Sequence, residues 1–303
     1  MASKKIRNEL LILLKSLGDA IPLFRNNDPL RMGGATAFFT TFALPPIIFI
    51  LVQIFGLFIS RQQAGQRFFQ SIANIVGSEG AQQVREVFRS IRGFSSTWYE
   101  IAVGFIFLLF VATTLFNVIK NSLNQLWSIR VDERPGILFY LRIRARSIGV
   151  IILAGILFFA DLLFESLGIL ARDYIEDLWQ GGGNYFQGIV SRIASVLIVA
   201  VWFVLLFRYL ADAKPSWKAV FVGGLLTSIL FSAGRLLLRT LLVNSEIGML
   251  YGTSGSLVLL LLFVFYSSFI LYYGACFIAT YSNRKEWYIK PNKKAHHYNI
   301  EKV

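Results

Sequence analysis

Residues 255–280 read GSLVLLLLFVFYSSFILYYGACFIAT, an uncharged run of 26 residues. A helix rises about 1.5 Å per residue, and the hydrocarbon core of a bilayer is about 30 Å thick. Because about 20 apolar residues are enough to cross that core, this segment predicts a transmembrane helix.

The rest of the chain repeats this pattern. The whole sequence is 55% hydrophobic and only 16% charged, whereas about a quarter of the residues of a soluble domain are charged. Further long apolar stretches occur at about 35–60, 101–119, 147–171, 187–210 and 217–243. We therefore predict an all-α integral membrane protein with six transmembrane helices.

Two polar segments flank the predicted transmembrane domain, residues 35–281. Residues 1–34 carry apolar side chains at steps of three and four, which predicts an amphipathic cytoplasmic segment whose helix lies in the membrane interface. A soluble helix packed on cytoplasmic loops is the open alternative. Residues 282–303 are interpreted as a basic cytoplasmic tail, and the only two histidines, His296 and His297, as part of that solvated tail.

The loop between spans one and two, at about 61–99, has a pattern of its own. Apolar residues recur at helical spacing on both sides of a break from Gly77 to Gly80, which predicts an outer helical hairpin. We expect this hairpin to cap the bundle or to lie on the outer leaflet. A substrate lid is the alternative.

Orientation follows from the basic residues, because Lys and Arg accumulate in cytoplasmic loops. Twenty-one of the thirty Lys and Arg residues lie before span one, after spans two and four, or in the tail, against six on the opposite side. Both termini are therefore expected in the cytoplasm. The net charge of +13 indicates this asymmetry and contact with membrane lipids, anionic ones included, rather than with nucleic acid. Homo-oligomerisation is left open.

Four ionisable residues fall well inside predicted spans three and five, where charge is costly and usually marks pairing or transport. Asp161 and Glu165 lie four residues apart in span three, and Arg235 and Arg239 have the same spacing in span five. Each pair shares one helix face, and the two pairs match in depth when counted from the cytoplasmic ends of their spans. We expect two ion pairs, which either fix helix register or border a polar cavity that attracts an anion.

Other polar residues supply further candidates. Candidate lining of such a cavity comes from the spans at Thr36, Thr40, Gln53 and Asn117. Candidate contacts to lipid head groups precede span three at Arg142, Arg144 and Arg146. Basic residues at that place also set topology, which is the alternative role.

Short motifs give the chain a resemblance that covers about residues 30–285. They are the entry of span one with Gly34, Ala35 and Pro45, then Asn117, Asn124 and Trp127, then Tyr209, Leu210, Trp217 and Gly224, and finally YGTSG at 251–255, Tyr266 and Gly274-Ala275. With six spans in this order, the chain resembles the YihY and virulence factor BrkB family of bacterial inner-membrane proteins, some of which are labelled ribonuclease BN. At one position this chain departs from the pattern, with Cys276 where we expect an acidic residue.

The resemblance implies an inner-membrane location and an all-helical fold, but no settled activity. From the residues, we expect a transporter or translocation factor for a lipid or another amphiphilic anion, without a cofactor or bound metal and without enzyme activity. A membrane scaffold that organises envelope proteins is the alternative. A membrane-associated ribonuclease comes third, because the two adjacent histidines offer no nuclease site. Since there is no GxxxxGK[ST] loop, ATP is not expected to drive transport by this chain alone.

Overall fold

The computed structural model describes residues 2–55, 98–131, 145–157, 182–243, 255–292 and 295–298, together with residues 66, 69, 70, 85, 160 and 164. Long helices make up most of these ranges. They are α1 (Ala2–Arg25), α2 (Pro29–Phe55), α3 (Trp98–Leu126), α4 (Ala145–Leu157), α5 (Gly182–Tyr209), α6 (Trp217–Val243) and α7 (Gly255–Arg284). The strands are β1 (Ile129–Val131), β2 (Ala213–Lys214), β3 (Lys290–Pro291) and β4 (Ala295–His297).

Three helical segments in the described residues are long and apolar enough to cross a membrane, at Arg192–Tyr209, Trp217–Leu237 and Val258–Arg284. The prediction of a helical membrane protein is confirmed at this level. Span two falls on α3, and the described parts of spans one and three fall on α2, as far as Phe55, and on α4, as far as Leu157. A crossing by all six stays a prediction. Most of the predicted outer hairpin, about 61–99, lies outside the described residues.

Helix ends follow from local sequence signals. Pro29 opens α2, where its missing amide hydrogen costs nothing. At the start of α6 the Ser216 hydroxyl accepts the Ala219 amide at 3.3 Å, as expected of a capping residue. At the end of α7, Glu286 has a φ of 58°, and the following Trp287 amide donates to the Ser282 carbonyl at 2.8 Å. This left-handed residue closes the helix.

The centre of the bundle is α7, which packs against α1, α2, α3 and α6. Large apolar side chains at one end of the bundle are almost fully buried, including Leu123, Phe207, Val220, Phe277 and Ile278. Away from that core, α5 exposes Ile193, Leu197 and Val201, and α6 exposes Phe221, Leu225 and Ile229. These exposed residues repeat every four positions and so form one apolar stripe on each helix, as expected of a surface that faces lipid.

The amphipathic segment forms α1 and packs along α7. The Tyr273 hydroxyl donates to the Leu17 carbonyl at 3.0 Å, and the Thr280 hydroxyl donates to the Ser16 carbonyl at 2.9 Å. Ser16, a polar residue of this amphipathic helix, is fully buried in this contact. The helix therefore packs on a bundle helix, while the exposed side chains Leu10, Leu11, Leu14 and Ile21 leave an apolar face for the predicted membrane interface.

The tail folds back onto the bundle in its described part, where the sequence indicated a solvated segment. Strand β4 pairs antiparallel with β1, which follows α3, and β3 pairs antiparallel with β2, which follows α5. His297 lies in β4 with its Nε2 2.8 Å from the Ile289 carbonyl oxygen. These strands are two or three residues long, too short for the period-two pattern that identifies strands from sequence.

One end of the bundle therefore gathers four separate segments. The turn between α1 and α2 contacts α3 at Asn27, whose carbonyl oxygen accepts the Gln125 side-chain amide at 3.5 Å. Arg31, in the first turn of α2, donates its Nη2 to the same side chain at 2.8 Å. The tail reaches the turn between α5 and α6 through the Asn292 amide, which donates to the Asp212 carbonyl at 3.0 Å. These are the segments in which the sequence concentrates its basic residues.

Candidate functional site

A cavity of about 440 Å³ lies between α2, α3, α4, α5, α6 and α7, each of which contributes lining residues. Its volume is in the range of sites that hold small molecules. Most of the lining side chains are aliphatic or aromatic, among them Leu115, Phe116, Trp202, Leu206 and Phe231. The polar lining side chains are Thr36, Thr40, Ser195, Arg235, Ser267 and Ser268.

Three residues proposed from sequence meet in this cavity: Thr36, Thr40 and Arg235. The other two candidate lining residues, Asn117 and Gln53, are not among the residues described as lining this cavity. Asn117 is half-buried on α3. Gln53 lies on α2, but its side chain is outside what the structure describes.

Three hydroxyl groups of the cavity wall share one arrangement. Thr40 donates to the Thr36 carbonyl at 2.7 Å, Ser267 to the Phe263 carbonyl at 2.7 Å, and Ser268 to the Val264 carbonyl at 2.7 Å. Each hydroxyl thus uses its only hydrogen on the preceding turn of its own helix. The oxygen atoms keep lone pairs and can accept further hydrogen bonds.

Thr36 also donates its hydroxyl hydrogen to the preceding turn of its helix, and its oxygen accepts a hydrogen bond from another helix. Its hydroxyl lies 2.9 Å from the Met32 carbonyl oxygen and 2.6 Å from the Tyr272 hydroxyl. Because a carbonyl can only accept, Thr36 donates to Met32 and Tyr272 donates to Thr36. This pair fixes α2 against α7 at the base of the cavity wall.

Arg235 gives the cavity its positive charge. Gly223 on α6 lies against Ile278 on α7, and Gly234 lies against Tyr266, so the two helices run antiparallel. Arg235 therefore lies at about the level of Tyr266 on α7, the residue next to Ser267. Its side chain is exposed, and among the described residues no carboxylate lies within ion-pair distance of it.

The predicted partners of Arg235 lie outside the described residues. These are Asp161 and Glu165, together with the side chain of Arg239, whose backbone belongs to α6. The two ion pairs between spans three and five stay a prediction. Ala154 and Leu157 of α4 line the cavity, so the helix expected to carry both acids does border it.

A second polar site, missed by sequence reasoning, surrounds Asp212 in the turn between α5 and α6. Lys120 Nζ lies 3.2 Å from Oδ2, and Arg146 Nη1 lies 2.9 Å from Oδ1. Asn124 bonds twice, because its amide nitrogen donates to Oδ2 at 3.0 Å and its amide oxygen accepts the Asp212 backbone N–H at 2.8 Å. We call these four residues the Asp212 cluster.

Burial and charge compete at Asp212, whose side chain is 11% exposed. Burial alone would raise the pKa of this carboxyl group, but the charge on Lys120, the hydrogen bond from Asn124 and the charge on Arg146 together hold the pKa below its usual value. Asp212 is therefore ionised at neutral pH. The cluster ties α3, the start of α4 and the α5–α6 turn together.

The Asp212 cluster includes one of the three arginines that the sequence proposed as contacts to lipid head groups. Arg142 and Arg144 lie outside the described residues. Arg146 directs Nη1 to Asp212 and also to the Leu210 carbonyl at 3.3 Å, so its guanidinium group is engaged inside the protein. The sequence did hold a signal for this cluster, since Asp212 is the only acidic residue between spans four and five, in a turn with Lys214 and Lys218.

Several residues of the sequence resemblance have structural roles near this end. Asn124 belongs to the Asp212 cluster, and the Trp127 indole N–H donates to the Ala275 carbonyl at 3.0 Å. A side chain at Gly224 would press on the backbone of α5, with its Cβ 3.1 Å from the Val204 nitrogen. These motifs therefore stabilise close helix packing and do not line the cavity.

Among the residues that the structure describes, no group of three His, Cys, Asp or Glu side chains could hold a metal ion. Cys276 is fully buried. The chemistry that the described site can supply is binding, through one cation, hydroxyl oxygens and an apolar wall.

Comparison with known proteins agrees with a membrane protein. Residues 21–298 match the family described as Virulence factor BrkB. A UPF0761 membrane protein of Teredinibacter turnerae is 25% identical over 280 residues, which are 92% of this chain and 62% of the relative. One from Saccharophagus degradans is 24% identical over 258 residues, 84% of this chain and 56% of the relative.

A shorter relative is covered more fully. The UPF0761 membrane protein of Haemophilus influenzae is 23% identical over 268 residues, which are 85% of this chain and 91% of the relative. The chain thus spans only about 60% of the length of the first two relatives. No solved structure matches the chain.

Proposed function

We propose that this chain, which belongs to the virulence factor BrkB family of membrane proteins, moves a lipid or another amphiphilic anion across or within the bacterial inner membrane. The observation that carries the proposal is the cavity, in which Arg235 lies among mostly apolar lining residues. An apolar wall favours a hydrocarbon chain, and an accessible guanidinium group favours a negative charge. An amphiphilic anion satisfies both.

The cavity also favours transport over the alternative of a scaffold. A protein that only organises neighbours needs a sealed core, and a cavity of about 440 Å³ leaves dispersion contacts unmade at a cost in stability. Ionisable residues at membrane depth commonly mark substrate paths. We assign Asp161 and Glu165 as counter-charges that hold Arg235 and Arg239 when no substrate is bound.

The proposed topology has six spans, α2 to α7, with both termini in the cytoplasm. It is supported by the gathering of the α1–α2 turn, the end of α3, the α5–α6 turn and the tail at one end of the bundle. Helices that cross in alternating directions bring these four segments to one side. Twenty-one of the thirty basic residues lie before span one, after spans two and four, or in the tail, which this topology places on the same side, as expected of the cytoplasm.

Cysteine labelling tests this topology. With the buried Cys276 giving little background, Gln83→Cys and Gly182→Cys are each expected to react with a membrane-impermeant maleimide from outside the membrane. A reporter fused after Val303 is expected to be active only in the cytoplasm. Protection of both cysteines in intact spheroplasts would overturn the six-span arrangement.

The functional test compares two arginines of predicted spans in proteoliposomes. Arg235→Gln removes the cation of the cavity, and Arg192→Gln removes an exposed arginine of α5 that is not among the described lining residues. A charge-assisted hydrogen bond contributes about 1.5–3 kcal/mol, so Arg235→Gln is expected to slow transfer of a fluorescent anionic lipid about tenfold or more. Arg192→Gln is expected to match the wild-type protein.

Two results would overturn the proposal. One is a wild-type rate of lipid transfer no faster than that of protein-free vesicles. The other is an equal rate of lipid transfer for the wild-type protein and Arg235→Gln, when size-exclusion chromatography shows that both proteins are correctly folded.

A further inference from the structure

The hydroxyl oxygens of the cavity wall specify more about the ligand than its charge. Thr40, Ser267 and Ser268 line the cavity, and each donates its hydrogen to a carbonyl on its own helix. Towards a ligand these groups can only accept hydrogen bonds. A ligand that brings only acceptors, such as a bare phosphodiester, would leave them unmatched.

The position of Arg235 limits which hydrogen-bond donor the ligand can bring to Ser267. From the antiparallel pairing of α6 and α7, Arg235 lies at about the level of Tyr266, the residue next to Ser267, and both Arg235 and Ser267 line the cavity. An ammonium donor bound at Ser267 would lie beside the guanidinium group, where two positive charges repel. A hydroxyl group donates equally well without that repulsion.

Resting on the proposed function, we infer that the cavity selects an anionic lipid whose head group carries free hydroxyl groups. The negative charge binds Arg235, the head-group hydroxyls donate to Thr40, Ser267 and Ser268, and the hydrocarbon chain lies along apolar residues such as Phe231 and Leu271. The arginine, the hydroxyl oxygens and the apolar side chains of the cavity thus each bind a different part of the ligand.

Two lipids of equal charge test the inference. Phosphatidylglycerol and phosphatidylmethanol with identical acyl chains both carry one phosphodiester, but only the first has free hydroxyls. Their affinities for the purified full-length protein are measured by native mass spectrometry in detergent. Since a hydrogen bond contributes about 0.5–1.5 kcal/mol net, phosphatidylglycerol is expected to bind about threefold to tenfold more tightly.

Serine variants test whether the cavity hydroxyls cause the preference for phosphatidylglycerol over phosphatidylmethanol. The double variant Ser267→Ala and Ser268→Ala is expected to lose most of the preference while its affinity for phosphatidylmethanol stays unchanged. The control is Ser228→Ala, because Ser228 makes the same kind of bond, 2.8 Å to the Leu225 carbonyl, but is not among the described lining residues. This control is expected to keep the preference of the wild-type protein.

A water-soluble competitor separates a lipid from a soluble phosphate ester. Glycerophosphoglycerol has the same singly charged phosphodiester and the same head-group hydroxyls without acyl chains, and it is expected to compete at least a hundredfold more weakly than phosphatidylglycerol, because burial of each methylene contributes about 0.8 kcal/mol. Competition as strong as that of the lipid would contradict a lipid ligand.

The remaining outcomes are distinguishable. Equal affinity for the two lipids in the wild-type protein, or a preference retained in the double serine variant, would overturn the inference and leave the proposed function standing. Absence of binding by either lipid would overturn both.

Discussion

The Asp212 cluster and the cavity around Arg235 hold polar groups in opposite ways. Both oxygens of the Asp212 carboxylate accept hydrogen bonds, from Lys120, Asn124 and Arg146, and the side chain is 11% exposed. Arg235 is an exposed side chain on a cavity wall. A buried and fully bonded charge stabilises one arrangement of helices, whereas an accessible charge in apolar surroundings is available to a ligand. The comparison separates a structural site from the proposed binding site.

The largest effect is expected from Asp212→Asn. The change removes the carboxylate charge that faces Lys120 and Arg146, and loss of one partner of a buried ion pair typically costs about 3–5 kcal/mol. The unfolding free energy of the detergent-solubilised protein measures this cost. Asp19→Asn is the matched control, since its partner Arg284 and Asp19 itself are 35% and 50% exposed, and exposed pairs contribute about 1 kcal/mol or less. Equal losses in the two variants would contradict the structural role of the cluster.

The second expectation concerns pH. Because the folded protein lowers the pKa of Asp212, its carboxylate contributes stability that is complete above the pKa of the unfolded chain, about 4, and is lost as pH falls through the lower pKa of the folded protein. The gap in unfolding free energy between the wild-type protein and Asp212→Asn should therefore be constant near pH 7 and narrow below about pH 4. A gap that widens on acidification would contradict this assignment.

A smaller effect on stability is expected at the cavity. Arg235→Gln should change the unfolding free energy by no more than about 1 kcal/mol, because the side chain is exposed and exposed charges contribute little. Its effect on lipid transfer should be far greater than its effect on stability. A loss as great as that of Asp212→Asn would make Arg235 a structural residue and remove the contrast between the two sites.

The smallest effect is the coupling between the predicted partners Asp161 and Arg235. A double-mutant cycle with Asp161→Asn and Arg235→Gln should give a coupling free energy of about 0.5–1 kcal/mol, since an ion pair that borders a cavity is partly hydrated. Strict additivity of the two single changes would show that these residues do not interact. The coupling is read from thermal melts of the four proteins under one detergent condition.

Sequence reasoning was most effective where one physical signal dominates. Apolar length predicted helices at the stretches that became α2 to α7, because a membrane-compatible helix needs little else. It also proposed Thr36, Thr40 and Arg235, which line one cavity, because polar residues in apolar spans are rare enough to be noticed.

Sequence reasoning was least effective where contacts between residues far apart in the chain determine the structure. Asp212 lies 88 residues from Asn124 in the chain, and no periodicity connects them. The fold of the tail depends on strands of two or three residues whose partners follow α3 and α5. Ser267 and Ser268 were missed because serine is common in helix packing, and only the shape of the cavity distinguishes these two from Ser228.

The most direct test of the central claim is a high-resolution map of the protein in nanodiscs that contain phosphatidylglycerol. The account predicts ordered lipid density in the cavity, with a phosphate within about 4 Å of the Arg235 guanidinium group and a hydrocarbon chain along the apolar wall. The same map shows whether Asp161 borders that position. A cavity that holds only water beside Arg235, or that is closed by side chains, would contradict the account.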